Sequence, residues 1–224
     1  MKITAWSFSR WSTYDQCPRF AKYRYIDKLD EPPAGPALLR GREVHDDAEW
    51  YLTAKPKPKR LPPALTYFEE DFNELRKQRA VAEGKWGFDE HWEPTDYFGP
   101  DIWCRMILDV FVRRPKRTAR VIDFKTGREY SAKHRQQLEL YAVGAWNMDD
   151  DLQIVIAEMW YLDSGESTEV TFSRKNHEAE LTDLWAQRTE AMLVDETFDP
   201  TPSKDACKWC PHHKKKGGPC DVGA

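Results

Sequence analysis

The residues best suited to chemistry are two aspartates and a lysine in two short apolar segments. Asp109 lies in CRMILDVFV, and Asp123 and Lys125 lie in ARVIDFKTG. Both segments are rich in Val and Ile, and the turn-like RRPKRT separates them, so the pattern predicts a hairpin of two strands. Side chains alternate between the faces of a strand, which places Asp123 and Lys125 on one face and Phe124 on the other. The hairpin would bring Asp109 next to Asp123.

Paired carboxylates beside an ammonium group suit hydrolysis that is assisted by a divalent cation. Hard cations such as Mg²⁺ prefer oxygen ligands. A metal-bound water can attack a phosphodiester, and a neighbouring lysine can orient that water or help to deprotonate it. Taken alone, Asp-x-Lys is more often a solvated ion pair on an exposed strand. The apolar residues before Asp123 instead indicate a buried strand end, where a charge needs a partner or a metal.

A predicted helix after the turn at Thr126-Gly127 carries Gln137 and Tyr141. Residues four apart share a helical face, so both side chains could reach a scissile phosphate or the surroundings of the metal. The alternative is a surface glutamine and a half-buried core tyrosine. His45, on an earlier predicted helix, could add a nitrogen ligand, although a lone helical histidine is more often structural. Its segment HDDAE lacks the second histidine of the zinc-protease pattern HExxH.

Periodicity and breaker residues predict the elements that position these groups. They are helices over 6–28, 38–52, 64–83, 132–146 and 177–194, strands over 102–112, 119–125 and 153–162, a strand and turn within 91–99, and a proline-rich surface linker over 53–63. This order predicts an α/β or α+β core with a mixed central sheet. The length predicts one domain over 1–224, in which 1–30 and 197–224 together form a cysteine-bearing subdomain.

The composition is that of a chain that can build a soluble core, with 40% hydrophobic and 32% charged residues. No apolar run approaches the roughly 18–20 residues of a membrane-spanning helix. The opening MKITAWSFSR has no apolar region of a signal peptide, so a cytoplasmic location is the default expectation. Because the net charge is -4, contact with DNA would need local basic patches. The candidates are Lys55, Lys57, Lys59 and Arg60, and Arg113, Arg114, Lys116, Arg117 and Arg120.

The cysteines form a second group with possible chemistry. Cys207 and Cys210 form a CxxC pair, and Cys220 follows in the same polar, glycine-containing tail. In a cytosolic protein such a cluster predicts metal binding rather than a disulfide. Cys17 could be the fourth ligand of a tetrahedral sulfur site, whereas Cys104 lies in an apolar strand and is predicted to be a core residue. Four cysteines suit an iron–sulfur cluster or zinc, and His212 and His213 keep a Cys3His zinc site open. Either metal would close a loop of nearly the whole chain.

Together these motifs resemble those of the PD-(D/E)xK nuclease superfamily. His45, Asp109, Asp123-Phe124-Lys125 and the segment from Gln137 to Tyr141 match its motif series. The chain is most similar to the RecB-like branch that includes the CRISPR-associated iron–sulfur exonucleases. The opening SFSRWSTYDQCPRFAKYRYIDKL and the closing CKWC with its third cysteine are similar to the terminal segments of that branch.

The resemblance implies a restriction-endonuclease-like core and two cofactors. A catalytic Mg²⁺ or Mn²⁺ would be held by His45, Asp109, Asp123 and the Phe124 carbonyl, while Lys125 positions the attacking water. Gln137 and Tyr141 would support the substrate and the active site. A 4Fe–4S cluster would be held by Cys17, Cys207, Cys210 and Cys220, with zinc as the alternative. This cluster would join the N- and C-terminal segments.

The sequence therefore predicts a metal-dependent DNA exonuclease that acts on single-stranded DNA or duplex ends. Some of the chain's aromatic side chains would stack on unpaired bases. One alternative is a nucleic-acid-binding module with a structural metal and no activity. Another is a nuclease that is silent until a recombination or replication protein binds it. A homo-oligomer would explain processive cleavage, but no pattern in the chain specifies one.

Overall fold

The computed structural model describes residues 2–127 and 131–223, except for the side chain of Ser131. The chain divides into two compact units. The larger unit comprises Ala34–Thr182, and the smaller unit comprises Met1–Pro33 together with Asp183–Ala224. No helix in the described ranges is both long and apolar enough to cross a lipid bilayer.

The helices and strands over 104–161 follow one another in the predicted order. The helices are α1 (Phe8–Gln16), α2 (Pro18–Ala21), α3 (Pro36–Thr53), α4 (Glu69–Lys77), α5 (Ser131–Met148), α6 (Arg174–Val194) and α7 (Lys204–Trp209). The strands are β1 (Val81–Phe88), β2 (Pro94–Thr95), β3 (Cys104–Arg114), β4 (Thr118–Lys125), β5 (Ile154–Tyr161) and β6 (Glu166–Ser173). The predictions for α3, α5, α6, β3, β4 and β5 are confirmed, with bounds that differ by a few residues.

The strands of the larger unit form one six-stranded sheet in the order β2-β1-β3-β4-β5-β6. β4 and β5 are parallel, and every other neighbouring pair is antiparallel. Antiparallel neighbours can be joined by a short turn, but the parallel pair needs a longer crossover, and α5 lies between β4 and β5 in the sequence. The predicted α/β fold with a mixed sheet and flanking helices is confirmed.

In the larger unit one predicted helix was wrong and one strand was not predicted. The helix predicted over 64–83 consists of a 3-10 segment (Pro63–Phe68) and α4, and the chain then enters β1. The helix stops because Arg79 has a positive φ of 54°, and β1 instead gains a long antiparallel ladder with β3. β6 was not predicted, because ESTEVTFS is polar and mostly exposed. Its partner β5 supplies the apolar neighbours that a single-sequence pattern does not show.

One face of the sheet packs against α3 and the segment around α4. Phe68 stacks on Trp160 with ring centroids 4.6 Å apart, and Phe72 lies 5.3 Å from Phe124. Burying an aromatic side chain of this size stabilises a fold by roughly 1.5–3 kcal/mol. This aromatic layer holds α3, and therefore His45, against the end of β4.

The other face of the sheet is covered by α5. Its residues from Leu140 to Trp146 are all buried. A Cβ atom at Gly144 would lie 2.5 Å from the Met106 sulfur, so any other residue here would force the Met106 side chain to shift. The close approach of α5 to β3 brings Tyr141 and Gln137, about one and two turns before Gly144 on α5, to the end of β4.

The smaller unit is built on tryptophans. Trp6 stacks on Trp185 at 5.9 Å, and Trp11 meets Trp185 edge-on at 4.9 Å. The single helix predicted over 6–28 was wrong, since α1 ends at Gln16 and Cys17 has an extended backbone with φ of -170°. Pro18 explains the break, because a residue before proline is disfavoured in the helical conformation. A π-helical turn over Lys22–Ile26 then follows α2.

Candidate active site

The two aspartates lie where β3 and β4 separate. The ladder between these strands runs from Arg114↔Thr118 to Val110↔Ile122. From there β3 continues along β1 and β4 continues along β5 as far as Lys125. We call this divergence, which begins at Asp109 and Asp123, the fork.

At the fork some backbone groups have no partner in the ladder between β3 and β4, and side chains of the site form hydrogen bonds with them instead. The Phe124 N–H donates to Asp109 Oδ2 at 2.6 Å, and the Ile107 carbonyl accepts from the Tyr141 hydroxyl at 3.1 Å. A buried backbone group left unpaired would be costly. The side chains of the fork therefore stabilise the opening in the sheet as well as line it.

Asp123 is almost fully buried, at 3% exposure, and it is the centre of a hydrogen-bonded group. Its Oδ1 accepts from Gln137 Nε2 at 2.8 Å and from the Tyr141 hydroxyl at 2.9 Å. Its Oδ2 forms an ion pair with the Lys125 ammonium. The structure thus brings together Asp123, Lys125, Gln137 and Tyr141, and a carboxylate held from both sides has little freedom to rotate.

The charges at this group are set by burial and by the close carboxylates. Burial opposes the charged ammonium of Lys125, but the charge and hydrogen bond of Asp123, together with the Asp109 charge, outweigh burial, so the pKa of Lys125 is raised. Burial also raises the pKa of Tyr141 well above its usual value. Lys125 is therefore a cation at neutral pH, and Tyr141 is a neutral hydroxyl that donates a hydrogen bond.

Asp109 forms a second group with His45 of α3. His45 Nδ1 lies 3.0 Å from Asp109 Oδ1. Burial and the nearby Asp123 carboxylate raise the pKa of Asp109. Burial opposes a charged imidazole, but the hydrogen bond to Asp109 and the charges of Asp109 and Asp123 together outweigh burial, so the pKa of His45 is raised. Negative charge thus accumulates at the fork, and a cation placed there would relieve it.

Glu83 on β1 lies in the same place, and sequence reasoning missed it. The register pairs Ala82 with Val110 and Gly84 with Leu108, so Glu83 faces Asp109 across the ladder. Ligand atoms of His45, Glu83 and Asp109 all lie within 4.8 Å of one another. The only signal in the sequence was an acidic residue in a segment that was assigned to a helix, and a helix would have directed it elsewhere.

The Phe124 side chain and backbone face different surroundings. The ring packs in the aromatic layer beside Phe72 and Trp160, as its predicted position on the opposite face requires. The Lys125 carbonyl accepts from the Leu162 N–H at 2.9 Å, toward β5. Backbone groups alternate sides along a strand, so the Phe124 carbonyl and N–H point toward the fork. The carbonyl is on the correct side to contribute an oxygen ligand.

The donor atoms at the fork fit a hard divalent cation. They are carboxylate oxygens, an imidazole nitrogen and a carbonyl oxygen, which suit Mg²⁺ or Mn²⁺. The thiol of Cys104 is not among them. It is fully buried on β3 and burial raises its pKa, as predicted for a core residue.

A model of the PD-(D/E)XK nuclease superfamily matches residues 5–214. The chain belongs to this superfamily. The match includes the fork, the strands that form it and most of the smaller unit. Membership in the superfamily is thus confirmed, while placement in the RecB-like branch remains a prediction.

Two solved structures are similar to this nuclease at low sequence identity. One is a protein named "Putative exonuclease" from Eubacterium rectale, with 11% identity, a TM-score of 0.50, and coverage of 85% of this chain and 80% of that one. Another is SSO0001, with 16% identity, a TM-score of 0.47, and coverage of 94% and 84%. No curated protein has significant sequence similarity to the chain.

The smaller unit of the nuclease brings its cysteines to one cavity, which we call the cysteine cavity. It is lined by Cys17, Cys207, Cys210 and Cys220 together with Phe20, Tyr23, His213 and neighbouring residues. Burial and the surrounding thiols raise the pKa of Cys210, opposed by a backbone N–H from His212. The imidazole of His212 has a different neighbour, since its Nε2 lies 3.4 Å from Glu31 Oε1. The arrangement gathers the four cysteines that the sequence singled out.

Several predicted DNA-contacting arginines are engaged within the larger unit. Arg120 is largely buried and pairs with Glu158 through two hydrogen bonds. Arg113 pairs with Asp149 and Arg117 with Asp151. In the smaller unit, five lysines beside the cysteine cavity are exposed and have no carboxylate partner among the described residues. They are Lys204, Lys208, Lys214, Lys215 and Lys216.

Proposed function

We propose that this nuclease is a divalent-metal-dependent deoxyribonuclease that removes nucleotides from single-stranded DNA or from duplex ends. The observation that carries the proposal is the fork, where Asp109, Asp123 and Lys125 converge beside His45. Membership in the nuclease superfamily supports hydrolysis of a phosphodiester. The preference for DNA ends rests on the sequence resemblance to exonucleases.

In this proposal Mg²⁺ or Mn²⁺ is held by His45, Asp109, Asp123 and the Phe124 carbonyl. When bound, the ion supplies Lewis acidity toward the phosphate and lowers the pKa of a water. Asp109 is held in place by the Phe124 N–H and by His45, at 2.6 and 3.0 Å. The carboxylates are therefore fixed before substrate arrives, which lowers the cost of ordering them.

Lys125 is proposed to position the attacking water. Its ammonium remains charged because Asp123 raises its pKa, so it acts as a hydrogen-bond donor and a positive charge near the phosphate rather than as a general base. Gln137 and Tyr141 orient Asp123 through its other oxygen. Their role is one of positioning, since both side chains are already engaged with that carboxylate.

We propose that the cysteine cavity holds a 4Fe–4S cluster on Cys17, Cys207, Cys210 and Cys220. Support comes from four thiols around one cavity, since soft thiolates bind iron–sulfur clusters or zinc. His213 also lines the cavity, which makes zinc on three cysteines and a histidine the competing occupant. Unpaired thiols of this kind suit a reducing compartment such as the cytoplasm.

One experiment tests both sites. The protein is purified without oxygen, its visible spectrum is recorded, and end-labelled single-stranded and duplex DNA are incubated with it, with and without Mg²⁺ or Mn²⁺. A brown protein that absorbs near about 400 nm and shortens DNA only with added metal is the expected result. A colourless zinc protein that cuts DNA would replace the cluster but keep the nuclease. DNA binding without cleavage under either metal would favour a binding module or a nuclease that requires a partner.

A further inference from the structure

We propose that Glu83 is a further ligand of the catalytic metal, alongside His45 and Asp109. The inference deepens the proposed function, since it concerns the same fork and the same class of cation. Neither the motif series nor the resemblance includes this residue. It is found only once β1 is placed next to β3.

The register of the sheet directs Glu83 to the fork. Ala82 pairs with Val110 and Gly84 with Leu108, which leaves Glu83 opposite Asp109. Residues that face each other across an antiparallel ladder project to the same face. Accordingly, ligand atoms of Glu83, Asp109 and His45 lie within 4.8 Å of one another. One ion can contact groups that are gathered this closely.

Glu83 has no partner that would explain its position. Among the described residues it forms no ion pair, and its side chain makes no hydrogen bond. It is half-buried, and it lies close to Asp109, a second carboxylate. The other buried glutamate of the sheet, Glu158, is paired with Arg120. Carboxylates that are brought together away from water need a cation, and the titratable groups gathered around Glu83 are Asp109 and His45, which are themselves candidate ligands.

The backbone at Glu83 also departs from the regular strand. Its φ is +49°, in the left-handed region that residues other than glycine seldom adopt. Observed strain of this kind occurs where the surrounding structure enforces it, often at functional sites. Here the departure occurs at the position that faces Asp109, while the ladder resumes in the same register at Gly84.

Metal binding without DNA is the direct test. Titration calorimetry with Mn²⁺ is performed on the wild type, on Glu83→Gln and on Glu49→Gln. Glu49 is an exposed acid of α3 that lies close enough to affect Glu83 electrostatically, and it is outside the group of three ligands. We expect Glu83→Gln to bind Mn²⁺ at least about tenfold more weakly, as loss of one charged ligand contact predicts, and Glu49→Gln to bind within about twofold of the wild type.

Thermal melting gives a second readout that does not depend on catalysis. Without metal, Glu83→Gln should melt at or above the wild-type temperature, because it removes repulsion from Asp109. Saturating Mn²⁺ should raise the melting temperature of the wild type more than that of the variant, because a ligand stabilises the state that binds it. Should Glu83→Gln fail to fold, Glu83→Gly removes the carboxylate at a backbone conformation that glycine accepts readily.

The outcomes separate this inference from the proposed function. Equal Mn²⁺ affinity of the wild type and Glu83→Gln, or no Mn²⁺ binding by the wild type, would overturn the ligand assignment. Mn²⁺ binding that depends on Glu83, in a protein that cuts no DNA, would keep the ligand and reject the nuclease. Cleavage by the wild type that is retained in Glu83→Gln at every Mg²⁺ concentration would keep the nuclease and reject the ligand.

Discussion

The fork and the cysteine cavity gather their candidate metal ligands in different ways. The fork takes hard donors from strands and helices that are positioned by protein hydrogen bonds and aromatic packing. The cysteine cavity takes thiols from an extended residue, a short helix and an irregular tail. Fixed donors favour catalysis, because they need no reordering, whereas donors on short segments favour a metal that stabilises the fold. Removing a ligand should therefore affect activity at the fork and folding at the cavity.

The largest effect is expected on catalysis at the fork. Asp109→Asn or Lys125→Ala should lower kcat by about 10³-fold, the order of magnitude for losing a preorganised electrostatic group, with the circular dichroism spectrum unchanged. The measurement is single-turnover cleavage of end-labelled DNA at saturating Mg²⁺. Lys85→Ala, at an exposed lysine of β1, is the matched control and should cleave as the wild type does. Wild-type cleavage by either fork variant would remove these residues from the mechanism.

The next effect is expected on the folding of the smaller unit. Replacing Cys17, Cys207, Cys210 and Cys220 by serine should give insoluble or protease-sensitive protein that lacks bound metal. A structural metal contributes its binding free energy to folding, about 10 kcal/mol or more for zinc sites. Limited proteolysis and metal analysis measure the result. Cys104→Ala should remain soluble with an unchanged metal content, and soluble, fully active protein without the four thiols would show that they are incidental.

A moderate effect is expected if the smaller unit also contacts DNA. Lys214→Ala, Lys215→Ala and Lys216→Ala combined should weaken binding of single-stranded DNA and reduce its dependence on salt. Three lost phosphate contacts would lower the slope of log affinity against log salt by about 2. Fluorescence anisotropy across salt concentrations gives that slope. A variant with unchanged slope would leave the smaller unit with a structural role alone.

The smallest effect is expected from an acid that orders the start of the C-terminal segment. Burial opposes the charged form of Asp195, but N–H groups of Phe198 and Thr197 and the Tyr14 hydroxyl outweigh it, so its pKa is lowered. Because the pKa of Asp195 is lower in the folded state than in the unfolded state, its carboxylate stabilises the folded protein at pH values above the unfolded pKa of 3.8. That stabilisation is lost as the pH falls through the pKa of the folded state.

Asp195→Asn should therefore destabilise the protein at neutral pH by about 1 kcal/mol, the usual value of such hydrogen bonds. The difference from the wild type should shrink as the pH falls below 3.8. Thermal melting from about pH 5 to pH 2 covers the titration of the carboxyl. Asp183→Asn, at an exposed aspartate of α6, is the control and should show no such change with pH.

Local patterns were sufficient for the elements that carry the motifs. Alternation and the turn RRPKRT predicted β3 and β4. Their register brings Asp109 beside Asp123, because side chains at opposite positions of antiparallel strands project to the same face of the sheet. Four-residue spacing predicted that Gln137 and Tyr141 share a face, and both now contact Asp123. Patterns failed at β1, whose first residues were assigned to an amphipathic helix, and at β6, which is polar. Both strands form by pairing with other strands of the sheet, and local residue preference does not reveal such pairing.

The sequence by itself determined which chemical groups the molecule has: carboxylates and a histidine that suit a hard cation, a lysine beside them, and cysteines that suit a soft one. Side-chain chemistry and short spacings fix these choices, and both can be read along the chain. Only the tertiary structure decided that β3 and β4 diverge at Asp109, that their freed backbone groups are used by the site, and that Glu83 faces Asp109. These features depend on ladder pairing between distant segments and on one residue with positive φ, and neither is encoded by a local pattern.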